Sequence, residues 1–283
     1  MKLTIVIPNY NGLAHLQTCL PSISAQSYTD FKIIVVDNGS TDNSILYIKE
    51  QFSDIEVIEL KENTGFAVAV NSGISLSISK YDPEYILLLN NDIECKPDFL
   101  DQMLEGFTND GIGSVSPQML NFYDRDVIDD TGNFVSKKNM PFPRGQGEKN
   151  EYQYSKSELI FGACAGAAMY RAEIFRQIGM FDVDFFAYYE DIDLSFRLQY
   201  VGYKCAYRPD AICYHKRGGT MSSNKNFHIY LLERNLVFLR IKNFPLRILV
   251  LYSPYYFIFR ILRFAKYFIK ISPSYSISAL KGY

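Results

Sequence analysis

Four apolar runs separated by stretches of helical periodicity constrain this chain more than any other feature. Leu3-Thr4-Ile5-Val6-Ile7 is followed by Leu13, Leu16, Leu20 and Ile23 at helix spacing. Phe31 to Val36 gives way to Ile45, Ile48 and Phe52, and "IEVIEL" precedes the loop and helix of "NTGFAVAVNSGISLSI". The fourth run, Tyr85-Ile86-Leu87-Leu88-Leu89, has no polar break before it ends in Asn90-Asn91-Asp92. An uninterrupted run of this kind suits a strand buried on both faces, so the order predicts an α/β fold with a mostly parallel, helix-covered sheet. Polar clusters follow the strands at Pro8-Asn9-Tyr10-Asn11, at Asp37-Asn38 and at Asn90-Asn91-Asp92. In an open sheet these strand ends share one rim, the usual place for a ligand.

The second half is less regular. Residues 121–158 are polar and rich in turn formers, which suits a lid, an acceptor loop or plain disorder. Regular structure resumes with "IFGACAGAAMYR" and a helix over Ala172 to Ile178. Leu194, Leu198 and Val201 then share a helical face, placing Glu190-Asp191 at that helix's N-terminal end. "AICYH" reads as a further strand leading into "KRGGT".

From Phe244 the composition changes. The charge-free stretch between Arg247 and Arg260 reads as too short to span a bilayer. Arg260, Arg263, Lys266 and Lys270 fall within roughly a third of a helix circumference. Residues 244–283 are therefore expected to form a basic amphipathic tail for an anionic membrane surface, with a helix packed on the main domain as the alternative. Residues 1–243 are expected to form the main domain, with the pattern changing near residue 120. The net charge of −2 gives no argument for a nucleic-acid partner. Five scattered cysteines without metal-type spacing suggest reduced thiols. The short apolar run at the start does not resemble a signal peptide, so a cytoplasmic protein at the inner face of the membrane is expected.

The segments "TIVIPNYNG", "VVDNGSTDNS", "NTGFAVAVNSGI", "LLLNND", "GACAGAAMYR", "GMFDVDFFAYYEDIDLSFRLQYVGY" and "HKRGG" occur in the order seen in family-2 glycosyltransferases. Over roughly residues 1 to 240 the chain resembles their inverting, single-addition members, particularly the bacterial rhamnosyltransferase-like branch. The resemblance implies a GT-A (Rossmann-like) fold and a nucleoside-diphosphate sugar donor, with residues 1–120 as the nucleotide-binding half and 121–243 as the acceptor and catalytic half. It gives Asp37 the hydrogen bond to a pyrimidine imide, with Pro8, Asn9, Tyr10 and Asn11 as the wall around base and ribose. Asn63, Gly65 and Asn71 would lie beside the nucleotide.

A leaving diphosphate needs its charge neutralised, and Mg²⁺ or Mn²⁺ does so with one or two carboxylates and phosphate oxygens as ligands. Family members carry an Asp-x-Asp-type signature at the strand end. Here the first carboxylate is replaced, leaving Asp92 as the expected metal ligand, with Asn90 and Asn91 offering amides. His215 matches a histidine that approaches the metal in relatives. Inversion requires a base opposite the leaving group. The family motif matches Glu190-Asp191, with Asp191 as the base and Glu190 in support; Asp193 is expected to be structural. Phe186, Tyr188 and Tyr189 are candidates for stacking on a sugar or for the core. Arg217 to Thr220 resemble a loop that closes over the diphosphate.

The expected reaction moves one sugar, with dTDP-rhamnose the first guess, to a hydroxyl of a glycan or polyprenyl-linked acceptor. Two other readings stay open. A sugar-1-phosphate nucleotidyltransferase would want a basic, glycine-rich loop after the first strand, and "PNYNG" has no Lys or Arg. An inactive nucleotide-sugar-binding scaffold is kept open by Asn90-Asn91.

Overall fold

The computed structural model describes residues 1–136, 138, 140–217, 225–270, 277–279, 281 and 282. Strands β1 (Leu3–Asn9), β2 (Phe31–Asn38), β3 (Glu56–Leu60) and β4 (Tyr85–Leu89) alternate with α1 (Leu13–Ser24), α2 (Ser44–Gln51) and α3 (Phe66–Leu76). The four strands are parallel in the order β3-β2-β1-β4, with Leu3 opposite both Phe31 and Tyr85. Every residue of β4 is buried, and its side chains divide between two cores. Leu87 and Leu89 pack with Leu16 and Leu20 of α1, while Ile86 and Leu88 join Val70 and Ile74 of α3. Two covered faces explain the unbroken apolar run, and each such aliphatic side chain stabilises the fold by about 1.5–3 kcal/mol.

The chain continues through β5 (Ile93–Cys95), α4 (Phe99–Leu104), β6 (Ile112–Asn121), β7 (Ile128–Asp130), β8 (Asn133–Val135), β9 (Pro141–Pro143) and β10 (Glu158–Ile160). It then forms β11 (Ala167–Arg171), α5 (Ala172–Ile178), α6 (Glu190–Tyr200), β12 (Lys204–His215), α7 (Lys225–Asn243) and α8 (Leu246–Lys270). β11 runs antiparallel between β4 and β6 and extends the parallel half into a mixed sheet ordered β10-β12-β6-β11-β4-β1-β2-β3. Two expectations change here. Residues 121–158 are neither plain disorder nor a bare loop, because β7 pairs with β6, β8 with β9 and β10 with β12. Val201 caps α6 and is 54% exposed, while Leu194 and Leu198 are buried as expected.

α6 is locked to α7 through Asp193, which is fully buried. Its carboxylate accepts from Arg197 Nε at 2.9 Å, Lys242 Nζ at 3.0 Å and Asn243 Nδ2 at 2.9 Å, the structural role expected for it. α8 departs from its expectation in two ways. Its segment Leu246–Lys266, with mean hydropathy 1.3, is long and apolar enough to cross a membrane by length and composition. The reading of the charge-free stretch as too short missed the apolar residues beyond Arg260. Nor do all the basic residues face outward, since Arg263 pairs with the buried Glu233 of α7 at 2.5 Å. Arg240 of α7 lies 3.9 Å from the ring of Tyr256. The outward face carries Val250, Leu251, Phe257, Ile258, Leu262 and Ile269, each more than half exposed. The side chain of Lys270 lies outside the described residues, as do Gly218, Gly219 and Thr220.

Candidate active site

The carboxyl ends of β1, β2 and β4 meet the N-terminal end of α6 around one cavity of about 1040 Å³. Pro8, Asn9, Tyr10, Asn63, Gly65, Asn90, Asn91, Asp92, Glu190, Asp191, His215 and Arg217 line it. Asn11, Asp37 and Asn71 do not.

Asp37 is 1% exposed and already engaged: Oδ1 accepts from Asn9 Nδ2 and Oδ2 from the Ser40 amide, both at 2.9 Å. It therefore sits beneath the wall and orients Asn9, whose Oδ1 accepts from Asn91 Nδ2 at 2.7 Å. A side chain at Gly12 would run into Asn91 and Asn9, so the bareness of that residue keeps the network intact. Asn11 ties down the neighbouring turn by accepting from the Thr41 amide at 2.7 Å. Asn38, which the sequence reading left without a role, does line the cavity and accepts from the Thr64 amide at 2.9 Å. Asn71 spends both ends of its amide on the backbone of Phe181, at 2.7 and 3.0 Å, and so anchors the approach to α6.

At the end of β4 the backbone amide of Asn90 donates to the Gly166 carbonyl at 2.7 Å, fixing the strand end against the small-residue segment before β11. Asp92 Oδ2 lies 3.3 Å from His215 Nε2, and His215 Nδ1 lies 2.8 Å from Asp129 Oδ2. Arg217 pairs with the other oxygen of Asp129. Burial works against charge on His215, but hydrogen bonds to Asp129 and Asp92 prevail and raise it to about 9. Burial would likewise raise Asp92, yet the hydrogen bond and charge of His215 hold it below its usual range.

As it stands the His215 imidazolium faces both carboxylates; once that proton is lost, Asp92 and His215 could hold a divalent cation shared with a diphosphate. Adjacent ligands of an octahedral ion bound at about 2.1 Å lie about 3 Å apart, close to the Asp92–His215 separation. The carboxylate behind Nδ1 is the arrangement that fixes a metal-binding imidazole. No group of three or more His, Cys, Asp or Glu among the described residues could hold a metal, so substrate oxygens or water would complete the shell.

The opposite wall is built by a strained approach to α6. Phe186, Tyr188 and Tyr189 all have positive φ, between 63° and 74°, a region costly for residues with a side chain. Gly65, at φ 88°, lies against this approach, where a Cβ would come within 2.6 Å of the Phe186 carbonyl. The run delivers Glu190 and Asp191 into the cavity, where all three aromatics also line the wall. Asp191 Oδ2 accepts from the Ala165 amide and from Asn133 Nδ2, each at 3.3 Å, and Oδ1 from the Ile192 amide at 2.8 Å. Burial nonetheless raises its pKa. Glu190 is pushed to about 8 by burial and by the charge of Asp191, and its Oε2 finds no hydrogen-bond partner among the described residues.

The strap of residues 128–133 supplies what sequence reasoning missed. Asp130 lines the cavity, accepts from the Gly132 amide at 2.6 Å and is raised to about 7, chiefly by burial. With Asp129 behind His215 and Asn133 on Asp191, this segment braces both walls. The signal "IDDTGN" was legible only as a turn, because three-residue strands are too short to show a period.

Comparison with known proteins agrees with this architecture. The chain is 24% identical over 267 residues to an N-acetylglucosaminyl-diphospho-decaprenol L-rhamnosyltransferase of Mycobacterium tuberculosis, covering 82% of this chain and 85% of that one. Among solved structures, S. aureus TarS 1-349 in complex with UDP-GlcNAc superposes with a TM-score of 0.65 at 16% identity, covering all of this chain and 79% of that one. The mannosyltransferase PcManGT of Pyrobaculum calidifontis, in complex with GDP-Man and Mn²⁺, gives a TM-score of 0.60 at 17% identity over 99% and 73% of the two chains. These likenesses establish the GT-A fold. The profile of glycosyl transferase family 2 matches residues 4–179, well over half the chain, and the protein is therefore a glycosyltransferase belonging to that family.

Proposed function

We propose that this enzyme transfers one sugar, with inversion, from a nucleoside-diphosphate sugar to a hydroxyl of a polyprenyl-diphosphate-linked glycan in cell-envelope synthesis. One observation carries the reading: the Asp92–His215 pair and the Asp191 carboxylate line the same cavity, on walls built by different ends of the fold. The donor's base and ribose lie along Pro8, Asn9, Tyr10 and Asn38, and its diphosphate reaches Asp92, His215 and Arg217. Asp191 accepts the proton of the acceptor hydroxyl as that oxygen bonds to the anomeric carbon. The bond from that carbon to the diphosphate oxygen breaks on the opposite face, and the nucleoside diphosphate leaves with the electron pair. Asp92 and His215 would hold Mg²⁺ or Mn²⁺, which offsets charge developing on the leaving group.

The relative from Mycobacterium tuberculosis is named for rhamnosyl transfer to a lipid-linked acceptor, which supports dTDP-rhamnose as the first donor to test. Calorimetry of dTDP-rhamnose, UDP-GlcNAc and GDP-mannose with and without Mn²⁺ tests the donor site. Binding of one of them is expected to tighten with Mn²⁺, and Asp92→Ala to erase at least about 10-fold of that gain, equivalent to ~1.4 kcal/mol. Equal affinity for every nucleotide sugar, metal or not, would sink the donor assignment.

The exposed apolar face of α8 supports placing residues 244–283 at the inner face of the membrane, as a unit distinct from residues 1–243. Flotation with vesicles containing anionic lipid should carry the full chain and leave behind a chain ending at Phe244. Equal flotation of both would argue that α8 does not anchor the enzyme.

A further inference from the structure

Three non-glycine residues with positive φ, immediately before the catalytic carboxylates, need something to hold them there. The holder lies on α7, far along the chain. Asn235 is fully buried, and its Nδ2 lies 2.8 Å from the Phe185 carbonyl, 2.7 Å from that of Ala187 and 2.8 Å from that of Tyr188. Two amide hydrogens serve three carbonyls, so one bond is shared. The direction of the amide is set by its neighbour: Arg234 Nε donates to Asn235 Oδ1 at 3.0 Å. The same guanidinium reaches the carbonyls of Asp184 and Phe185 at 2.7 and 3.0 Å. From the other side, the Ala67 amide at the start of α3 donates to the Phe186 carbonyl at 3.2 Å.

We propose that Asn235, oriented by Arg234, is a positioning residue for the transfer step: it clamps residues 184–189, three of which have positive φ, and so aims Asp191 at the acceptor hydroxyl. The proposal rests on the reading of Asp191 as the base. Side-chain and backbone chemistry both support it. The carbonyls of this irregular approach join no helix or strand ladder, and a buried carbonyl without a donor is costly; among them, that of Phe185 also accepts from the Ala187 amide at 2.7 Å. An asparagine amide is compact enough to serve several of them, and no apolar residue of similar size could. The clamp also makes α7 part of the catalytic architecture although, of its residues, only Lys225, His228, Ile229 and Leu232 line the cavity.

The test uses the full chain and two variants, Asn235→Ala and the milder Arg234→Met. Hydrogen exchange is read first, since it requires no activity. Amides of residues 185–189 should exchange at least about 10-fold faster in Asn235→Ala, with β1 and β4 unchanged. Unchanged exchange there would overturn the clamp. Single-turnover transfer from the nucleotide sugar bound in calorimetry is then scaled to donor-binding sites, which removes any loss of folded protein. Asn235→Ala should transfer about 100-fold more slowly and Arg234→Met about 10-fold more slowly, with donor affinity within about 3-fold of the parent. A purely structural residue would leave the rate per binding site near the parent's, and that result would refute the proposal.

The double variant Asp191→Asn/Asn235→Ala separates this proposal from the reading beneath it. If the clamp acts through Asp191, adding Asn235→Ala to Asp191→Asn should slow transfer by less than about 3-fold. A further 100-fold loss would show that Asn235 acts elsewhere. Near-parent transfer by Asp191→Asn alone would remove the base assignment, and the proposal with it.

Discussion

Asp191→Asn is expected to slow sugar transfer by at least about 10³-fold while leaving nucleotide-sugar affinity within about 3-fold of the parent. The amide keeps the shape of the carboxylate but cannot take up the acceptor proton, and general-base catalysis contributes roughly 10²–10⁴ in rate. Donor affinity should hold because Asp92, His215 and Arg217, the residues proposed for the diphosphate, lie at the ends of β4 and β12. A pH profile adds a second signature. Burial raises the Asp191 carboxyl, and as the proposed base it must be ionised, so the rate should fall with falling pH through a midpoint above the ordinary value of about 3.9. Burial and the charge of Asp191 push Glu190 up as well, which works against the pair holding two charges in a buried site.

The same burial has a stability consequence. A carboxyl whose pKa is higher in the folded than in the unfolded state binds more protons when folded. Stability therefore falls as pH rises from the unfolded value through the folded one. Asp191→Asn should thus melt higher than the parent at pH 8, with the gain shrinking toward pH 4. Transfer by Asp191→Asn at near the parent rate would sink the base assignment. Equal melting at both pH values would remove the claim that the buried carboxylate destabilises the fold.

Asp193→Ala, two residues along the same helix, should act in the opposite sense: a large loss of stability. Its carboxylate is buried completely and holds Arg197, Lys242 and Asn243. Removing one partner of a buried ion pair leaves the others uncompensated, typically costing 3–5 kcal/mol. Lys242 retains Asp182 at 2.6 Å and Arg197 retains the Ile178 and Met180 carbonyls, so a loss near the low end, about 3 kcal/mol, is expected. For a chain of this size that corresponds to a drop in Tm of roughly 5–10 °C. Asp193→Asn, which can still accept a hydrogen bond, should lose less. A Tm within 1 °C of the parent for Asp193→Ala would mean that the lock between α6 and α7 contributes little.

How far the sequence reveals this site depends on where each residue's partners lie. β4 and its polar end were legible because a strand covered on two faces must be apolar throughout and stop where cover stops. Glu190-Asp191 was legible because the periodicity of Leu194 and Leu198 fixes where α6 begins. Asp37 shows the limit of that method. It stands at a strand end as expected, but the Asn9 side chain, from another strand, and the amide of nearby Ser40 already occupy its oxygens, and it lies beneath the cavity wall. Asp129, Asp130 and Asn133 were hidden for a different reason. Their roles arise only when an irregular strap folds back onto β6 and beside α6. Asp129 bears directly on the carboxylate replaced by Asn90: a second carboxyl group is present after all, delivered behind His215 rather than beside Asp92. Asn235 was hidden most deeply, since its partners are backbone carbonyls nearly fifty positions earlier.

The most direct measurement of the central claim is the anomeric configuration of the product, read by NMR from a reaction supplied with purified nucleotide sugar and a lipid-linked acceptor. Base-assisted attack by the acceptor on the face opposite the diphosphate predicts a single product of inverted configuration, formed with one equivalent of nucleoside diphosphate. A product of retained configuration, or sugar transfer without release of nucleoside diphosphate, would contradict it.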